Sequence, residues 1–152
     1  MKRLLALALS GGVLLGVNGA RAELGGAADT IQVDQVRLRG VTHQRTDWQM
    51  TTHEISLSDG SSIKEYVNAS GLVFAVSWHT RLKPQLQALL GSPYVPVLPS
   101  LVAASGVSSM KRTQSMRQPH LVLRQGGRMN AFVGLAYIPT LVPNGVNADA
   151  LR

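Results

Sequence analysis

From Trp48 to His79 apolar and polar residues alternate in the manner of strands. Trp48 and Met50, then His53, Ile55 and Leu57, hold every second position of one segment. The parity changes near Thr51-Thr52, which indicates a bulge or a late strand start. Ser58-Asp59-Gly60-Ser61 follows, with Asp-Gly as the hairpin signal. In the next strand Ile63, Glu65 and Val67 share one face, and Lys64 and Tyr66 the other. After the turn Asn68-Ala69-Ser70-Gly71, the stretch Leu72 to His79 is apolar at nearly every position. That composition belongs to a central strand covered on both sides. Phe74, Val76 and Trp78 cannot all face opposite to Val67, so burial of both faces is expected. Residues 45–80 therefore read as a three-stranded antiparallel meander.

The flanking segments carry weaker patterns. Glu23 to Ala28 reads as a flexible start. In Asp29 to Arg39, Ile31, Val33, Val36 and Leu38 fit a helical face about as well as two strand steps. A helix is the expectation, capped by Asp29 or Thr30 and ended by Gly40. Pro84 suits the first turn of a further helix, with Leu86, Leu89 and Leu90 on one side and Gly91 at its end. Residues 92–119 are Pro-rich, then basic, and read as irregular. One helical turn is expected around Leu101 to Ser105, and Val107 to Pro119 is a loop or a solvent-facing edge strand. A C-terminal hairpin follows: strand His120 to Arg124, turn Gln125-Gly126-Gly127-Arg128, strand Met129 to Ile138. The expected class is α+β, a small antiparallel sheet of about five strands with one or two helices on a face.

Composition changes this picture at the N-terminus. Lys2 and Arg3, the apolar run Leu4 to Val17 and the small-residue site Ala20-Arg21-Ala22 have the order of a secretory signal peptide. The apolar run is shorter than the roughly 20 residues of a spanning helix. Residues 1–22 are expected to be removed, leaving 23–152 as one α+β domain with no transmembrane segment. Cleavage removes Lys2, Arg3 and Arg21. The count of 15 basic residues falls to 12 against 8 acidic ones, so the net charge drops from +7 to +4. A mild positive charge on an exported chain favours anionic surfaces rather than nucleic acid. The chain has no cysteine, which excludes disulfides, thiolate metal sites and thiol catalysis.

An ordered set of short motifs then carries a resemblance. Leu24-Gly25-Gly26, His53-Glu54-Ile55, Lys64-Glu65-Tyr66-Val67 and the run Gly71 to Trp78 (GLVFAVSW) are followed by Gln87 to Gly91 (QALLG). Gln125 to Pro139 (QGGRMNAFVGLAYIP) and Pro143 to Val146 (PNGV) complete the set. The chain resembles the proteobacterial domain-of-unknown-function family 2844 over essentially all of its mature length. Ser92 to Met116, Pro-rich and basic, departs from that pattern. The resemblance implies an exported protein of a Gram-negative envelope, in the periplasm rather than the medium. It implies no activity, cofactor or catalytic residues.

The candidate chemistry is sparse. His53-Glu54 lacks the second histidine of a zinc-protease helix, since Leu57 holds that place, and it lies on a strand. Ser108-Ser109-Met110-Lys111 matches the S-x-x-K of penicillin-interacting enzymes, without their other motifs. Asn68-Ala69-Ser70 matches a glycosylation acceptor, but Asn and Ser also favour turns. His43, His53, His79 and His120 have no metal-ligand spacing, and no metal or cofactor is implied. Glu54, Glu65 and Asp59 are available as a carboxylate pair for glycoside hydrolysis, which needs a groove that so small a sheet has little room for. Two features remain. Trp78 and His79 at a strand end, with His53 nearby, are a candidate pocket. Lys111, Arg112 and Arg117, with Arg124, are a candidate patch for an anionic partner, or charges that protect a sheet edge.

The favoured expectation is a small non-enzymatic periplasmic protein that binds another envelope protein or an anionic surface. The alternative is a small envelope hydrolase using His53 or His79 with a carboxylate. Mass spectrometry of the chain recovered from its native envelope should give a species beginning at Glu23. A species retaining Met1 to Ala22 would overturn the leader assignment.

Overall fold

The computed structural model describes residues 23–28, 31, 39–91 and 113–152. Seven strands form one antiparallel sheet: β1 (Val41–Thr46), β2 (Met50–Ser56), β3 (Ser62–Asn68), β4 (Val73–Thr80), β5 (Thr113–Gln118), β6 (Leu121–Arg128) and β7 (Ala131–Tyr137). Their spatial order is β1-β2-β3-β4-β7-β6-β5. Two meanders, β1 to β4 and β5 to β7, are thus joined where β4 pairs with β7. One short helix, α1 (Leu86–Leu90), follows β4, with Gln85 as its N-cap.

The meander predicted over 45–80 is present as β2, β3 and β4, and its turns form for the stated reasons. The Asp59 carboxylate accepts from the Ser61 amide at 2.9 Å, and Gly60 holds the positive φ of 82° that this turn needs. Asn68 Oδ1 accepts from the Ser70 and Leu72 amides, and its Nδ2 donates to the Leu141 carbonyl. Asn68 is therefore a turn anchor whose side-chain amide is already engaged.

The sequence-based count of about five strands is corrected to seven among the described residues. β1 was missed because its residues, Val-Thr-His-Gln-Arg-Thr, are nearly all exposed and leave no periodic apolar signal. β5 is the edge strand offered as one reading of residues 107–119, described from Thr113 to Gln118. The C-terminal hairpin turns at Met129-Asn130, with Asn130 at φ 66°, and not at Gln125 to Arg128. Gly126 and Gly127 continue β6 in register with Val133 and Phe132. β2 runs from Met50 in unbroken register with β3, so the parity change near Thr51 reflects burial on both faces and not a bulge. The expected flexible start is instead docked. Leu24 is buried, the Gly25 amide donates to the Val73 carbonyl at 2.7 Å, and the Val73 amide donates to the Gly26 carbonyl at 2.9 Å. Of the helix expected over 29–39 only Ile31, helical and buried, and Arg39, in a turn at φ 51°, are described, and the turn around 101–105 lies outside the described residues.

The sheet is covered on both sides. On the helix face, Leu24, Ile31, Leu89 and Leu90 pack on Ile63, Val67, Val73, Val76, Trp78 and Leu123. On the opposite face a C-terminal strap, residues 139–152, lays Leu141, Val142, Val146, Ala148 and Leu151 over Tyr66, Phe74, Ala75, Val122, Leu135 and Tyr137. A bulge in β4 makes this sharing possible. The register passes from Tyr66 opposite Ala75 to Val67 opposite Val73, so Phe74 is the extra residue. Phe74 and Ala75 both turn to the strap face, while Val76 and Trp78 return to the helix face with Val67 and Val73. Phe74 is completely enclosed. Its truncation to alanine would cost about 3–5 kcal/mol.

Trp78 fixes a second detail. Its partner across β7 is Gly134, and a Cβ built at Gly134 would overlap the indole ring. Gly134→Ala should lower stability by about 1–3 kcal/mol, because a packed ring must move. Urea unfolding would show it, and combining Gly134→Ala with Trp78→Leu should recover part of the loss. An unchanged midpoint for Gly134→Ala would refute this packing.

Candidate functional site

The strap covers only part of its face. Strand register sorts the residues there into cross-strand rungs. One runs Thr52, Tyr66, Ala75, Tyr137, Val122, Arg117, and the strap lies over it. The next runs Glu54, Lys64, Ser77, Leu135, Arg124, Ser115, and a third runs Ser56, Ser62, His79, Val133, Gly126, Thr113. Small side chains on the third rung leave a depression of about 660 Å³ beside the strap. Its floor is Ser62, Ser77, Val133 and Gly126, and its walls include Lys64, Arg124, Asp149 and Arg152.

Asp149 organises one wall. It sits on a 3-10 turn, Ala148–Ala150, whose first residue is buried and whose N-cap, Asn147, accepts from the Asp149 amide at 3.1 Å. The carboxylate then takes three donors. Arg124 Nη1 reaches Oδ1 at 3.1 Å, the Tyr137 hydroxyl reaches the same oxygen at 3.0 Å, and Arg117 Nη2 reaches Oδ2 at 3.3 Å. The Tyr137 hydrogen bond, aided by the two arginines, holds the Asp149 carboxyl below its usual value of 3.8. Burial first, and then the bond to Asp149, raises the Tyr137 phenol above 10.0. Nearby, the Tyr66 hydroxyl donates to the Arg152 carbonyl at 2.9 Å and lies 3.3 Å from Ser77 Oγ, and burial raises its pKa too. Lys64 faces Glu54 at 3.7 Å on the far side of the groove.

The groove is basic. Among the described residues Lys64, Arg124 and Arg152 line it with one lining carboxylate, Asp149, and Lys64 is partly offset by Glu54. Opposite-charge pairs here are exposed, so they hold the strap loosely.

The sequence-predicted residues are divided by the sheet. His79 is exposed and lines the groove, and Trp78 borders it while its ring lies on the helix face. The Trp78 indole Nε1 is buried and finds no acceptor among the described residues. His53 is on the helix face, directly across from the buried Glu65, and burial lowers its pKa from 6.5. The candidate pocket of Trp78, His79 and His53 therefore has its histidines on opposite faces, because residues of odd number on β2 and β4 are out of phase after the Phe74 bulge. Of the basic patch, Arg117 sits on the strap face beside Arg124, while Lys111 and Arg112 lie outside the described residues. His43 and His120 are exposed on β1 and at the β5–β6 turn. Among the described residues, no group of three His, Cys, Asp or Glu is placed to hold a metal ion, and no helix is long and apolar enough to cross a membrane.

Sequence reasoning missed Asp149 and Tyr137. One signal was available: Asp149 is the only acidic residue after Glu65, among eight Lys and Arg. A lone acid in so basic a stretch is marked by its context.

An open antiparallel sheet, strapped on one face and grooved beside the strap, is the class of protein that these residues define. The chain belongs to the family described as protein of unknown function DUF2844, which matches residues 20–151. No curated protein and no solved structure matches it.

The lowered Asp149 pKa has a sign that can be tested. A carboxyl depressed in the folded state contributes stability that is complete above 3.8 and fades as pH falls through its folded value. Asp149→Asn should therefore flatten the acid limb of the urea midpoint plotted against pH, between about pH 2 and about pH 5. Parallel curves for the two proteins would remove Asp149 from the acid response.

Proposed function

We propose that the chain is a small exported, non-enzymatic protein of the bacterial periplasm that binds an anionic surface through its strap face. The observation that carries this reading is the sign of the groove: among the described residues Lys64, Arg124 and Arg152 line it with Asp149 as the one lining carboxylate, and Glu54 stands beside Lys64. Arg117 extends the same basic region along the edge strand β5, toward Lys111 and Arg112 in the sequence. A surface of one sign beside a shallow groove attracts the opposite charge at a range of about 10 Å in physiological salt. The groove residues are short or flexible, which suits a broad charged surface better than one rigid substrate.

A hydrolase built on a histidine and a carboxylate is the weaker reading. Among the described residues Asp149 is the only carboxylate lining the groove with His79, and it is already held by two arginines and a tyrosine. His53 has a carboxylate opposite it, but Glu65 is buried on the covered face of the sheet.

Vesicle sedimentation tests the proposal. The chain from Glu23 to Arg152 should pellet with phosphatidylglycerol vesicles and not with phosphatidylcholine vesicles. Binding should weaken at least about threefold with Lys64→Glu and fall steeply as salt rises from about 0.1 to about 1 M. Failure to pellet, together with crosslinking in cells to one dominant envelope protein, would replace the anionic surface with a protein partner.

A further inference from the structure

We infer that Arg117, Arg124 and Tyr137 form an oxyanion-binding site, suited to a phosphoryl group, which Asp149 of the strap fills in cis. This deepens the proposed function and rests on it, since it names the atoms of the basic face that would grip an anionic ligand.

The geometry is that of a recognition site with its ligand in place. Three donors from three strands converge on one carboxylate: Arg117 on β5, Arg124 on β6 and Tyr137 on β7. Their distances to its two oxygens are 3.3, 3.1 and 3.0 Å. Arginine is the residue suited to planar, two-oxygen recognition of carboxylate and phosphate. Register explains the convergence. Arg117 and Tyr137 both pair with Val122 on one rung, and Arg124 stands on the next rung of the same face. The rigid sheet therefore presets the donors, and the strap supplies only the acceptor.

Charge indicates what would displace Asp149. Two guanidinium groups face a single negative charge, and Lys64 and Arg152 line the adjoining groove. A phosphoryl group carries up to two negative charges and one more oxygen than a carboxylate, so it answers this excess better. Displacement is easy in physical terms. The side chains of Arg117, Arg124 and Asp149 are 67%, 50% and 40% exposed, so the ion pairs are solvent-screened and open to competition. The strap keeps its own anchors when Asp149 lets go, because Leu141, Val142, Val146, Ala148 and Leu151 remain packed on the sheet. Opening requires only the exposed Asp149 side chain to turn away from the donors while Ala148 stays buried. An internal carboxylate that must leave first lowers the apparent affinity by the fraction of molecules in which it has left.

The test compares the chain from Glu23 to Arg152 with its Asp149→Asn variant, both checked for folding by circular dichroism. The probes are inorganic phosphate, followed by isothermal titration, and vesicles of phosphatidic acid, whose headgroup is a phosphate monoester, in phosphatidylcholine. Asp149→Asn should bind about threefold more tightly than the parent chain, and adding Arg124→Gln should abolish the gain. A gain with both probes supports a site for a free phosphoryl group. A gain with vesicles alone supports the same site for a lipid headgroup. Asn147→Ala frees the turn without touching the donors, and it should give a smaller gain in the same direction if Asp149→Asn does not fold. Vesicle binding by the parent chain with no gain in a folded variant would overturn the cis-ligand inference and leave the proposed function standing. No binding of either probe by parent or variant would remove both. A gain that survives Arg124→Gln would also overturn the inference.

Discussion

β4 is enclosed on all four sides, and the other parts of the molecule are arranged by that enclosure. β3 and β7 take its two edges, the helix-face core takes Val73, Val76 and Trp78, and the strap takes Phe74 and Ala75. A strand of strict alternation cannot place Phe74 and Ala75 on one side. The bulge does so, and it gives each face a large aromatic: Phe74 to the strap and Trp78 to the helix side. The demand then spreads to neighbours. Trp78 requires Gly134 opposite it, and Phe74 packs obliquely on Tyr66, with ring centroids 6.2 Å apart. Tyr66 in turn ties its hydroxyl to Arg152 at the end of the strap.

The same arrangement explains why the exposed chemistry gathers where it does. Apolar residues of the strap cover one rung of the face and Leu135 of the next, and the remaining positions are left with Lys64, Ser77, Arg124, Ser62, His79 and Gly126. A polar rung beside an apolar one is what a half-covered antiparallel sheet produces. The groove is thus a by-product of how far the strap reaches. Its charge is not, because Asp149 is held among arginines by a turn that Asn147 caps.

Legibility in the sequence followed burial. β3 and β4 could be read because their apolar residues pack on both faces, and the two turns flanking β3 carry Asp59-Gly60 and Asn68, whose side chains make the turn hydrogen bonds. β1 could not, since an exposed edge strand needs no apolar period and Val-Thr-His-Gln-Arg-Thr shows none. The C-terminal turn was misplaced because Gly126-Gly127 signals a turn more strongly than Met129-Asn130. The glycines serve packing instead: a Cβ at Gly127 would strike the backbone of Ala131 and Phe132. Leu24 was overlooked because one apolar residue beside two glycines has no period, although its neighbours add a short backbone bridge to the start of β4. The Asp149 cluster joins residues from four segments, and no local pattern encodes such a meeting. The basic character of the C-terminal half was visible, and the position of its one acid was not interpreted.

The union of β4 with β7 also bears on how the molecule comes into being. Each meander is made of neighbours in the chain and forms through short loops, but Ala75 must find Tyr137, 62 residues later. Such distant pairing raises contact order and slows folding. Until it happens, Val-Phe-Ala-Val-Ser-Trp lies at an open edge, unpaired on one side and apolar on both faces. That is the composition of a strand that recruits copies of itself. The polar outer strands β1 and β5 protect the finished sheet, but they do nothing for this interior seam while it is still exposed. The most hazardous moment for the chain therefore precedes its native state, which gives any factor that shields β4 during synthesis a direct influence on yield.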